Sequence, residues 1–122
     1  MRRARLLLLF VLLCLCVDVS GQEFVFTEKP LTAVLARAKE ENKPVFAMLY
    51  ASWCPHCHKM KADVLPDQNV QKALSPYLVF GFDSETPDGR QLLKEYKLNS
   101  FPTFAFISPQ GELLYASLAF GT

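Results

Sequence analysis

The sequence predicts an α/β fold in which a mixed β-sheet carries helices on both faces. Three observations support this. Val45 to Ala51 holds almost no polar side chain, and a short apolar run bounded by turn residues is the mark of a strand buried on both sides. Leu31, Val34, Leu35 and Ala38 recur at i, i+3, i+4 and i+7, the spacing of one helix face. Near the end, Ser108-Pro109-Gln110-Gly111 separates two strand-like runs, so the last two strands close as a hairpin.

Of the 122 residues, the first 21 read as a secretory signal, leaving 22–122 as one domain. Met1 to Arg5 is basic, Leu6 to Val17 is apolar but too short to cross a bilayer comfortably, and Val19-Ser20-Gly21 offers small or short residues for cleavage. Left uncleaved, the same segment would anchor the chain to a membrane. Cleavage removes Cys14 and Cys16, so Cys54 and Cys57 become each other's only intramolecular partners. In the oxidising setting that a secreted or periplasmic chain meets, such a pair is a working dithiol and not a staple. Cleavage also leaves 10 basic residues against 11 acidic ones, a balance that gives nucleic acid no electrostatic footing.

Phe24-Val25-Phe26 is a short strand candidate. Thr27 or Glu28 can cap the first helix, with Pro30 in its first turn, and Asn42 and Pro44 end it. After the buried strand, Cys54 to Leu65 has a helical pattern that Pro66 closes. Asp67 caps a second short helix, Gln68 to Leu74. Tyr77 to Phe82 is the next strand, Asp83 to Gly89 a polar turn, and Arg90 to Tyr96 a helix with Leu92, Leu93 and Tyr96 inward. Thr103 to Ile107 and Glu112 to Ala119 form the hairpin.

The chemistry concentrates in Trp53-Cys54-Pro55-His56-Cys57. A thiolate at the start of a helix meets unpaired backbone N–H groups and the positive end of the macrodipole. That setting favours ionisation and marks Cys54 as the nucleophile. Cys57 lies one turn further on the same face. From there it can attack a mixed disulfide formed at Cys54, release the partner and close the Cys54–Cys57 disulfide. His56 sits between the two, where an imidazole stabilises a neighbouring thiolate and makes the disulfide a stronger oxidant. Trp53 shields the dithiol from water or packs in the core. Lys59 and Lys61 read as solvated residues that add positive potential near the helix start.

Ala51-Ser52-Trp53-Cys54-Pro55-His56-Cys57, the strand before it and the later Phe101-Pro102-Thr103 resemble the thioredoxin superfamily over nearly all of residues 22–122. Ala38-Lys39-Glu40-Glu41-Asn42-Lys43-Pro44 is similar to secreted bacterial thioredoxin-like proteins, including the C-terminal domain of the DsbD transporter. The resemblance implies a thioredoxin fold with a sheet of four to five strands and thiol-disulfide oxidoreductase activity on protein thiols and disulfides. It implies no cofactor beyond the Cys54-Cys57 disulfide, and a membrane thiol-disulfide relay protein as partner. It also implies a cis bond before Pro102, with Trp53, Pro55, Phe101 and Pro102 facing the substrate. Three departures stand out. Met48 occupies the place of the buried acid of thioredoxin, and Val79 that of its lysine. Pro55-His56 is the dipeptide of DsbA-type oxidases. The chain stops at Thr122, where the family has a final helix.

Other readings use the same residues. Cys54-Pro55-His56-Cys57-His58 matches the attachment motif of c-type haem, with His58 as one axial ligand and Met48, Met60 or another group opposite. Against it, the motif follows a buried strand and Trp53, whereas c-type haem domains are mostly helical. Cys54, Cys57 and one histidine give a zinc ion at most three ligands, where closed sites want four. In a binding module or chaperone the dithiol would be incidental.

Overall fold

The computed structural model describes residues 24–27 and 29–118; the signal expected at 1–21 lies outside them. The elements are α1 (Leu31–Glu41), β1 (Val45–Tyr50), α2 (Pro55–Lys59) continuing into a π-helical turn (Met60–Val64), α3 (Gln68–Leu74), β2 (Leu78–Asp83), α4 (Pro87–Glu95), β3 (Thr103–Ile107) and β4 (Leu113–Leu118). The sheet runs β2-β1-β3-β4. β1 is parallel to β2, and β3 is antiparallel to both β1 and β4. It is a thioredoxin fold, with the mixed sheet that the element order predicts. No helix among the described residues is long and apolar enough to cross a membrane.

β1 is the centre because its side chains can be dry on both faces. Val45, Ala47, Met48 and Leu49 have no accessible surface, and burying a side chain of Val or Leu size contributes roughly 1.5–3 kcal/mol. On one face Val45, Ala47 and Leu49 pack with Leu31, Val34 and Ala38 of α1, Leu92 of α4 and Ile107 of β3. On the other, Phe46 and Met48 meet Cys54, Cys57, Met60 and Leu65. The helices thus divide between the two faces, and the cysteines belong to the second.

Several boundaries differ from expectation. Phe24 to Phe26 is not a strand, so the described sheet has four strands. The Phe24 amide donates to the Lys61 carbonyl (2.9 Å), and the Phe26 ring lies so close to Gly81 that a Cβ there would sit 2.4 Å from it. The segment is used to dock on the helical side, not to extend the sheet. Thr27 does not cap α1, and Glu28 lies outside the described residues: Pro30 takes the N-cap position with no side-chain cap. The open Leu31 amide donates instead to Asp88 Oδ2 at 2.9 Å, 57 residues away. α4 starts at Pro87, not Arg90, because Thr86 caps it and Pro87 fits the first turn. Gly89 is obligatory there, since a Cβ would lie 1.9 Å from the Asp83 carbonyl oxygen.

Other features stand as read. Asn42 ends α1 in the left-handed region (φ 50°), Asp67 caps α3, and Gly111 takes φ 87° in the hairpin turn, a conformation glycine adopts freely. The helix expected from Cys54 to Leu65 changes character midway. Its last turn widens, with the Leu65 amide donating to the Met60 carbonyl (2.9 Å), as in a π-bulge.

Candidate active site

The site grows from the end of β1. After Tyr50 the chain turns at once: the Cys54 amide donates to the Ala51 carbonyl (3.2 Å). Cys54 is then the N-cap of α2 in an extended conformation, with Pro55 in the first turn, where its missing N–H costs nothing. The Cys57 amide donates to Cys54 Sγ at 3.2 Å. Sulfur therefore fills the acceptor position that a serine or aspartate oxygen fills at other helix starts. Both thiols are free and buried, Cys54 at 3% exposure and Cys57 at 1%.

The remaining predicted residues surround this pair. Trp53 is 66% exposed, so it is a rim residue and not core packing. It meets Phe101 edge-on, with ring centroids 5.9 Å apart. That contact joins the cysteine turn to the loop before β3. The Phe101–Pro102 peptide is cis, as the resemblance implies; Pro102 is buried and Phe101 half-buried. Pro55 and His56 lie exposed at the start of α2. His58 Nε2 is 2.9 Å from the Ser52 carbonyl, tying α2 back to the turn that carries Trp53.

The interior behind the thiols is apolar. Met48 is fully buried in the same cluster as both cysteines, and Val79 pairs with Phe46 across the sheet. Burial pushes the Cys57 thiol up from 9.0 to about 12, helped by its hydrogen bond and charge interaction with Cys54; a backbone hydrogen bond at Ala51 and the Lys61 charge act the other way. The haem ligands of the rival reading are committed elsewhere: Met48 and Met60 to the apolar cluster, His58 to a backbone carbonyl. Among the described residues, no three or more His, Cys, Asp or Glu side chains are grouped to hold a metal ion.

Lys61 departs from the solvated reading, while the positive potential expected of it does reach the site. It is half-buried, with Nζ 3.7 Å from the Tyr50 ring centroid and 5.9 Å from that of Phe26. Tyr50 shares the face of Met48 by strand alternation, and Lys61 follows Cys57 by four residues. Those two periodicities together were the available signal.

The sequence profile of a thioredoxin-like domain matches residues 31–118. Thiol:disulfide interchange protein DsbD 1 of Pseudomonas aeruginosa is 38% identical over 88 residues, which are 70% of this chain and 15% of that protein. The chain thus spans about 15% of the length of this curated relative. Among solved structures, the oxidised C-terminal domain of Neisseria meningitidis DsbD superposes with a TM-score of 0.61 at 32% identity, covering 74% of this chain and 81% of that one. A thioredoxin from Thermus thermophilus superposes with a TM-score of 0.64 at 28% identity, covering 75% and 72%.

Proposed function

This chain belongs to the thioredoxin-like domain family, and on that premise we propose that it exchanges disulfides with protein substrates through Cys54 and Cys57. The observation that carries the reading is the Cys57 amide donated to Cys54 Sγ at the start of α2, which sets the two sulfur-bearing residues one helical turn apart with a backbone donor on the first sulfur. Cys54 attacks one sulfur of a substrate disulfide. The other substrate sulfur leaves as a thiolate, and a mixed disulfide remains. Cys57 then attacks Cys54 Sγ, the bond to the substrate breaks, and the substrate departs with two electrons more than it brought. The Cys54–Cys57 disulfide left behind is the only redox group the cycle needs. A dithiol of a membrane relay protein returns the two electrons, in the secreted or periplasmic setting implied by residues 1–21.

The flanking residues have separable roles in this scheme. Trp53 and Phe101 form an aromatic rim against which an extended substrate chain lies, with Pro55 beside it and the backbone before Pro102 as its pairing edge. His56 stabilises the Cys54 thiolate. Direction of flow follows from the potential. A value near about −270 mV makes the protein a reductase, and one between about −180 and −120 mV an oxidase or isomerase. A redox titration against glutathione reads it directly.

The exchange itself is tested by Cys57→Ser. The variant should accumulate mixed disulfides with substrate proteins, released by dithiothreitol and seen on non-reducing gels. Absence of any trapped partner removes Cys57 from the resolving role.

A further inference from the structure

The resolving step asks a thiol buried in an apolar cluster to become an anion, and no carboxylate is among the described groups that act on it. The groups gathered around the Cys57 cluster can be named element by element. β1 presents Met48 and Tyr50, the N-terminal segment Phe26, and α2 Cys54; the π-helical turn presents Met60 and Lys61. His56 and His58 lie on the exposed side of α2. Once Cys54 is tied to a substrate sulfur it carries no charge. Lys61 stands four residues after Cys57 on the same continuous helical run, about one turn along the same face, and its charge lowers the pKa of that thiol.

Lys61 is also fixed, unlike most surface lysines, which swing their ammonium into water. Its Nζ sits 3.7 Å from the Tyr50 ring centroid, and the Phe26 ring is 5.9 Å away on a nearly parallel plane. An ammonium over an aromatic face is held there by the ring quadrupole. Its main chain is anchored too, by the Phe24 amide on the Lys61 carbonyl (2.9 Å).

Resting on the exchange reading above, we propose that Lys61 is a positioning residue for the resolving step: clamped on Tyr50, it holds a positive charge beside Cys57 that stabilises the thiolate as it forms. Cys57 gives its proton to solvent base, its sulfur bonds to Cys54 Sγ, and the bond from Cys54 to the substrate breaks. The electron pair leaves on the substrate sulfur, which takes up a proton. Lys61 stays protonated throughout. The burial that raises the cost of the thiolate is the cost this charge reduces.

The test uses the reduced protein and 5,5′-dithiobis(2-nitrobenzoate) in stopped flow. Attack by Cys54 releases one coloured thiolate and resolution by Cys57 releases the second, so the two steps appear as separate phases. Lys61→Met keeps the chain length and removes the charge; Lys61→Arg keeps the charge and the ring contact. In Lys61→Met the second phase should slow about tenfold at pH 7 and its pH profile move up by about one unit, with the first phase within about twofold of the parent. Lys61→Arg should restore it. An unchanged second phase in Lys61→Met overturns the proposal. So does an equal slowing of both phases, or failure of Lys61→Arg to restore the second, since either shows packing and not charge. A parent protein that never releases the second equivalent overturns the resolving role of Cys57 itself.

Discussion

The starts of α2 and α4 are built on one plan. Each has an N-cap side chain in extended conformation, a proline in the first turn, and the amide three residues on donated back to the cap. The distances are nearly equal: 3.2 Å from the Cys57 amide to Cys54 Sγ, and 3.1 Å from the Gly89 amide to Thr86 Oγ1. The two differ in the cap atom and in what the third residue carries. Thr86 is exposed and also donates to the Asp83 carbonyl (2.7 Å). Gly89 has no room for a side chain, because α4 presses against the end of β2. At α2 the cap is buried, and the third residue sends a second sulfur into the apolar cluster. The backbone device is therefore generic. What sets α2 apart is sulfur at both of its positions.

The comparison breaks most sharply at Cys54. Cys54→Ser keeps a good N-cap, so stability should stay within about 1 kcal/mol of the parent, while insulin reduction falls by about 10³-fold or more, as when a nucleophile is removed. Thermal unfolding and the turbidity assay measure the two separately. Retained activity would mean that the sulfur cap is not the nucleophile.

A second contrast is sharpened by pH. The Cys57 thiol is held above its unfolded value of 9.0, at about 12, mainly by burial. The folded reduced protein therefore keeps its proton where the unfolded chain loses it. The stability linked to this group is complete below pH 9 and is lost as pH rises toward 12, on the order of 4 kcal/mol. Denaturant unfolding of the reduced parent should show this loss relative to Cys57→Ser. Tyr96, also raised by burial, is common to both proteins and cancels. The smallest effect belongs to the other cap. Thr86→Ala should cost about 1 kcal/mol and leave both phases of the dithiobis-nitrobenzoate reaction unchanged.

Much of this architecture is legible one residue at a time. The apolar run of β1, the stripe of α1, the Asp67 cap, the Gly111 turn and the cysteine pair are written in spacings of two to seven residues. Those patterns reflect strand and helix periods that need no knowledge of distant neighbours. The cysteine pair was legible as a site for the same reason, since both sulfurs belong to a single helical turn.

The misread features depend on contacts between residues far apart along the chain. Asp88 caps α1 from another helix. Phe24 and Phe26 look like a strand until the π-helical turn offers a carbonyl and Gly81 a bare surface. Lys61 looks solvated until Tyr50 and Phe26 arrive beneath it. Composition and periodicity thus settled the helices and the four strands of the described sheet, and where the two sulfurs stand. Chain packing settled who caps whom, which charge lies beside the buried thiol and how dry that thiol is. Those are Coulomb and desolvation effects, set by distances in space that separation along the chain does not encode.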